Sequence, residues 1–288
     1  MFRKLFLIGW VALFVVGLGG CAGENGSPPA TLTAADEQEG LRGRLTLTGS
    51  STVAPLVAEI AKRFEQQHPE VRIDVQMGGS GKGIADARQG LVEIGMASRA
   101  LQPSERELTA HPIAVDGVCL IAHASNPVET LDDTEVRAIY RDQINDWKAV
   151  GGKDLPMTVV HKAEGRATLA VFLEYFQLDN PEVVADVIVG DNQHGIKTVA
   201  ATPGAIGYVS IGTAQADVAA GVPLKLLPVG GVPPTPANVA AGTFPLSRPL
   251  NLVTSGEPSR LARRFIAYCQ SEAVDDLVIA QAFVPLQR

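Results

Sequence analysis

The chain reads as an α/β fold. Three observations carry that reading. Some stretches alternate apolar and polar residues with a period of two; in others apolar residues recur every three to four positions; and Gly- and Ser-rich turns fall where one pattern gives way to the other. Leu45 and Leu47 alternate with polar residues and predict a strand that stops at Gly49-Ser50-Ser51-Thr52. Val53, Leu56, Val57, Ile60, Ala61 and Phe64 then recur at helical spacing, with Pro55 in the first turn, where a missing N–H costs little. Val71, Ile73, Val75 and Met77 predict a second strand, which ends in Gly78-Gly79-Ser80-Gly81-Lys82-Gly83, and residues 84–91 the helix after it. Residues 92–98 and 117–122 read as further strands. A helix near 134–140, a strand at 157–161 and a helix at 165–176 follow. Residues 230–249, rich in Pro and Gly, read as a connection, 250–253 as a strand and 259–270 as a closing helix.

Composition narrows the function. A chain of 288 residues suggests one or two domains with ample length for a core. Its formal net charge of −7, more negative still without Arg3 and Lys4, excludes the basic footprint of a general nucleic-acid binder. Hydrophobics at 46% and charges at 19% exclude a disordered chain. Three cysteines are too few for a disulfide scaffold.

The N-terminus reads as an export signal over residues 1–20. Arg3 and Lys4 precede an uninterrupted run of apolar and small residues that is short for a membrane span and right for a secretory segment. Its end, Leu18-Gly19-Gly20-Cys21, resembles the bacterial lipobox, which implies cleavage before Cys21 and lipidation of its thiol. Residues 21–39 are small, polar and acidic without periodicity, and read as a flexible tether reaching about 25 Å. The expectation is a protein in the periplasm or on the cell surface, lipid-anchored to a bacterial membrane.

The chemistry falls in the strand-to-helix turns. Gly49-Ser50-Ser51-Thr52 and Gly79-Ser80-Gly81 offer hydroxyls and unpaired backbone N–H groups at helix starts, which carry partial positive charge and suit anions. Lys162-Ala163-Glu164-Gly165-Arg166-Ala167-Thr168 adds two cations, a carboxylate and a hydroxyl at a third such turn. Sharper motifs fail. Gly78 to Gly83 is not a Walker loop, since Gly83 follows Lys82, and its glycines are too close for a dinucleotide fingerprint. Lys82 also breaks the Gly-x-Ser-x-Gly elbow of serine hydrolases. His68, His111, His123, His161 and His194 show no metal-ligand spacing, so no metal or cofactor is called for. Cys119 and Cys269 read as separate buried apolar residues, with a disulfide between them as the alternative in an exported protein, and Trp147 as a packing residue.

A set of stretches spread over residues 45–286 resembles the phosphate-binding protein of bacterial phosphate ABC importers. The set comprises Thr48-Gly49-Ser50-Ser51-Thr52-Val53-Ala54-Pro55, Gly79-Ser80-Gly81-Lys82-Gly83-Ile84 and Ile94-Gly95-Met96-Ala97-Ser98-Arg99. It continues with Ala114-Val115-Asp116-Gly117-Val118, Val136-Arg137-Ala138-Ile139-Tyr140, Asn145-Asp146-Trp147 and Thr202-Pro203-Gly204-Ala205-Ile206-Gly207-Tyr208. The resemblance implies a two-lobed, type II-like periplasmic-binding-protein fold with two crossover strands, closing on its ligand like a hinged trap. Lobe one would comprise residues 40–125 and 244–288, and lobe two residues 126–243. Carried over, the phosphate ligands are Ser51, Thr52, Ser80, Ser98, Lys162, Arg166, Ala167 (by its N–H) and Thr168. The implied role is a non-catalytic, monomeric receptor delivering inorganic phosphate to an ABC permease. The alternatives are a sensor or phosphatase-like surface protein on the same fold, or a binder of another tetrahedral oxyanion. Three departures from the family bear on the ligand. Ser98 stands where a well-known form has Asp, Lys162 replaces an Arg, and Arg166-Ala167-Thr168 replaces Ser-Gly-Thr. A lysine is not equivalent to a bidentate guanidinium.

Overall fold

The computed structural model describes residues 40–288; the signal segment, Cys21 and the tether lie outside the described residues. The first half builds a parallel sheet in which β1 (Gly43–Gly49) pairs with both β2 (Val71–Met77) and β3 (Ile94–Ala97). Helix α1 (Val53–Gln67) packs on it through Val53, Leu56, Val57, Ile60 and Phe64, the apolar face that the helical spacing predicts. Helix α2 (Ser80–Arg88) joins β2 to β3.

The chain then enters β4 (Leu108–His123), a strand that starts well before residue 117. Leu108-Thr109-Ala110-His111 alternates, but Pro112 interrupts the pattern before Ile113 and Ala114, so the sequence pattern hides its first half. Pro112, which cannot donate to a ladder, lies where the register shifts. Beyond it come α3 (Asp133–Tyr140), β5 (Thr158–Lys162), α4 (Ala167–Phe176), β6 (Val187–Val189), α5 (Asn192–Ala201), β7 (Ala205–Ser210), α6 (Ile211–Ala219) and β8 (Leu224–Leu227). The segment read as a connection contains a short helix, α7 (Pro236–Ala240), and the first residues of β9 (Ser247–Ser255). Helices α8 (Arg260–Cys269) and α9 (Asp275–Ala280) close the chain. Among the described residues, no helix is long and apolar enough to cross a membrane.

The strands order as β2-β1-β3-β9-β4-β7-β5-β6, with β8 also on β4. Two large hydrophobic cores form on this framework, beside a small cluster of Ile84, Ala97, Leu108 and Val253. One gathers Leu47, Leu56, Ile60, Phe64, Ile94, Met96, Phe265 and Ile266; the other gathers Tyr140, Trp147, Phe172, Phe176, Ile206 and Tyr208. The antiparallel pair β4 and β9 serves both. Ile113, Ala114, Leu250 and Leu252 belong to the first core, whereas residues 118–122 of β4 and, just ahead of β9, Phe244 and Leu246 belong to the second. Trp147 is a packing residue, its Nε1–H donating to the Gly204 carbonyl at 2.8 Å. Cys119 and Cys269 are buried and unpaired, one in each core, and burial pushes both thiols up.

Candidate oxyanion site

Two strand-to-helix turns of the first half and the residue after β3 bring hydroxyls together. Ser50, just past β1, accepts the N–H groups of Thr52 (3.2 Å) and Val53 (3.3 Å), so its hydroxyl caps the start of α1. Its proton goes to Ser98 Oγ at 3.0 Å. Ser80 opens α2, accepts the Ser98 N–H at 3.1 Å, and lies 3.5 Å from the Ser98 hydroxyl. Ser50, Thr52, Ser80 and Ser98 are all buried. Gly79 before Ser80 has φ +92°, and a Cβ there would press on the Arg166 side chain at 3.1 Å.

The second half contributes the charge-bearing turn between β5 and α4. Lys162 ends β5 and is buried, its Nζ donating to the Asp191 carbonyl at 2.6 Å. Burial pushes its ammonium down to about 7; Asp191 opposes this, and the nearby Arg248 and Arg166 charges add to it. Arg166 stands at the N-cap of α4 and is half-buried, with its guanidinium against Gly79. Ala167 and Thr168 form the first turn, whose N–H groups have no intrahelical acceptor. Two further hydrogen bonds join the halves: Gly81 N–H to the Gly165 carbonyl at 3.0 Å, and Asn192 Nδ2 to Thr52 Oγ1 at 3.0 Å.

Between the two sets sits Arg248, on the stretch of β9 that passes from one core to the other. It faces Asp116 of β4 in register, and the two side chains, each 1% exposed, form an ion pair. Asp116 Oδ2 accepts from Arg248 Nη2 (2.9 Å) and Nε (3.2 Å), while Oδ1 accepts the Gly212 N–H at 3.3 Å. The other guanidinium protons go to hydroxyls. Nη1 donates to Thr168 Oγ1 at 3.0 Å and Ser98 Oγ at 3.4 Å, and Nη2 to Thr52 Oγ1 at 3.3 Å.

This donor direction decides what the site can hold. A hydroxyl that accepts from a guanidinium keeps its own proton for something else. Thr52, Ser98 and Thr168 therefore present O–H donors, joined by the first-turn N–H groups of α4 and two further cations. An arrangement of donors at the junction of two cores fits a small oxyanion.

Comparison with known proteins agrees. Residues 33–273 match the family model of the PBP superfamily domain. The phosphate-binding protein PstS of Bacillus subtilis strain 168 is 32% identical over 99% of this chain and 94% of its own length. The chain belongs to the PstS family of the PBP superfamily. The phosphate-bound crystal structure of an ABC transporter substrate-binding protein from Clostridium perfringens superposes with a TM-score of 0.80 at 31% identity, over 85% of this chain and all of that one. An ABC-type phosphate transport receptor from Vibrio cholerae gives 0.69 at 29% identity, over 84% of this chain and all of that one.

Against this family background, the structure gathers Thr52, Ser80, Ser98, Lys162, Ala167 and Thr168 around the junction of the two cores. Ser51 is half-buried beside them and makes none of the hydrogen bonds of the network; its neighbour Ser50 does. Arg166 packs over Gly79 without joining the hydroxyls. Glu164 is exposed, taking only an Asn180 Nδ2 contact at 3.4 Å, so it offers the site no acceptor. Sequence reasoning missed Asn192 and Arg248. The signal for Arg248 was a lone arginine opening an apolar run, with Asp116 alone in a second such run; two opposite charges in otherwise apolar strands imply a buried pair.

Proposed function

We propose that the chain captures inorganic phosphate at this site and delivers it to an ABC permease, without catalysing a reaction. The observation that carries this reading is the set of three hydroxyls whose protons Arg248 leaves free to point at an anion. Phosphate comes from the relatives, whose names and bound ligand identify it. Residues Thr52, Ser80, Ser98, Lys162, Ala167 and Thr168 would hold it with Arg248, and Arg166 and Ser51 would flank it. The two cores support a division into two lobes joined by β4 and β9. Core membership changes between Ala114 and Val115 and between Leu246 and Leu250, which is consistent with crossings inside the 40–125 and 244–288 segments of the 40–125, 126–243 and 244–288 division. Cleavage before Cys21 and lipidation there would tether a monomeric receptor outside the cytoplasm.

Because every site hydroxyl donates and Asp116 is engaged by Arg248 and Gly212, the lining favours a fully deprotonated oxyanion over one that must give up a proton. Calorimetric titration with phosphate, arsenate, sulfate and molybdate tests both points. The expected result is tight phosphate binding, with sulfate also binding at or below millimolar concentration. Absence of phosphate binding would overturn the function. Absence of sulfate binding would overturn the donor-only account of Ser98, and Ser98→Asp would then bring no gain in selectivity.

A further inference from the structure

Lys162 is 3% exposed, its Nζ rests on a backbone carbonyl, and it forms no ion pair among the described residues. An ammonium has three donor protons, and burying one without a counterion is costly. The groups facing it explain the deficit. Arg248 of β9 is already matched by Asp116 of β4, and Arg166 at the start of α4 is a second cation. Asp191, at the start of α5, is exposed, and its carboxylate is turned to the His194 N–H. From β7, Tyr208 Oη accepts the Lys162 backbone N–H at 3.2 Å and lies 2.9 Å from Nδ1 of His161, the neighbour of Lys162 on β5. His161 Nε2 is spent on Asn180. Since Arg248 and Asp116 cancel, a dianion is matched in charge only when Lys162 is protonated beside Arg166.

We propose that Lys162 sets the preference for a dianion by taking up a solvent proton as the ligand enters, the ligand itself becoming the counterion of the lysine. Resting on the phosphate reading above, this makes capture consume a proton: neutral amine plus H⁺ gives the ammonium, and no other bond changes. The depressed position of Lys162, about 7, means that the empty site is largely uncharged here at mildly alkaline pH. Binding must then pull the proton in.

Calorimetry of the full chain with inorganic phosphate at about pH 8.5, in two buffers of different ionisation enthalpy, reads the protons exchanged. Phosphate is already a dianion there, so uptake belongs to the protein. The wild type is expected to take up close to one proton per phosphate, with affinity falling about tenfold per pH unit above that point. Lys162→Arg, whose guanidinium does not titrate, is expected to take up none and to bind with pH-independent affinity. Phosphate binding by the wild type without proton uptake, or equal uptake in Lys162→Arg, overturns the proposal. Should Lys162→Arg misfold, the wild-type slope decides alone. Wild type that binds no phosphate at any pH removes the phosphate reading and this one together, whereas binding without uptake removes this one only.

Discussion

The two halves of the site solve different problems. The first half presents Ser50, Ser80 and Ser98, three hydroxyls locked onto one another and onto backbone N–H groups at the ends of β1 and β3 and the start of α2. It carries shape and almost no charge. The second half presents Lys162 and Arg166, cations held loosely by comparison: one on a single carbonyl, the other half-buried against Gly79. The difference teaches that geometry and charge can be supplied by separate parts of a chain. Arg248 stands outside both sets, on the strand that links them, and bonds to hydroxyls of each.

That contrast can be broken most severely at Arg248. Arg248→Ala removes the donor that orients Thr52, Ser98 and Thr168 and strands Asp116 as an uncompensated buried charge. Loss of one partner of a buried pair costs about 3–5 kcal/mol. Thermal melts are expected to show that destabilisation, and phosphate affinity to fall by about a hundredfold or more. The double variant Asp116→Leu/Arg248→Met is expected to regain stability and not affinity, which separates the two effects. An intermediate loss is expected for Thr168→Val, which keeps the shape and deletes one donor to a charged ligand. A bond of that kind is worth about 1.5–3 kcal/mol, so affinity measured by titration should drop about tenfold to a hundredfold while the melting temperature barely moves. The smallest effect is expected at Arg166. Its guanidinium is partly solvated and bonds to none of the hydroxyls, so Arg166→Ala should weaken phosphate binding only severalfold, and less at high salt, where exposed charges are screened. A loss at Arg166 equal to that at Arg248 would mean that its guanidinium bonds to the anion directly.

Much of this was legible beforehand, and the failures have physical causes. The helix α1 and strand β2 followed from periodicity: α1 buries one face, and Val71, Ile73 and Val75 of β2 pack on the first core while Met77 at its end is exposed. The first residues of strand β9 escaped because Pro245 and Pro249 bracket Arg248, and such residues normally mark a connection; here Pro249 opposes Val115 in the β4 ladder. The start of α2 was placed at residue 84 because Gly81 and Gly83 look like loop residues. They sit inside the helix because Gly81 must lie against Gly165, where a Cβ would come within 3.2 Å of that backbone. Ser50 and Ser51 could not be told apart from composition: which of two adjacent hydroxyls turns inward depends on the path of the backbone out of β1. Asn192 lies in a segment whose short strands and helix carry little periodicity, and its role is to reach across to Thr52.

The register of Asp116 opposite Arg248 has a temporal consequence. In a closing motion about β4 and β9, residues on the pivot travel least, while the hydroxyl turns and Lys162 sweep towards them. Were the lobes to close in this way, the Asp116–Arg248 pair would be in place before the walls arrive, so the hydroxyls it orients would face an arriving anion while water still has a way out. The remaining donors would assemble afterwards. Release would run in reverse: the walls would part first, and the ion pair on the pivot would keep its place throughout.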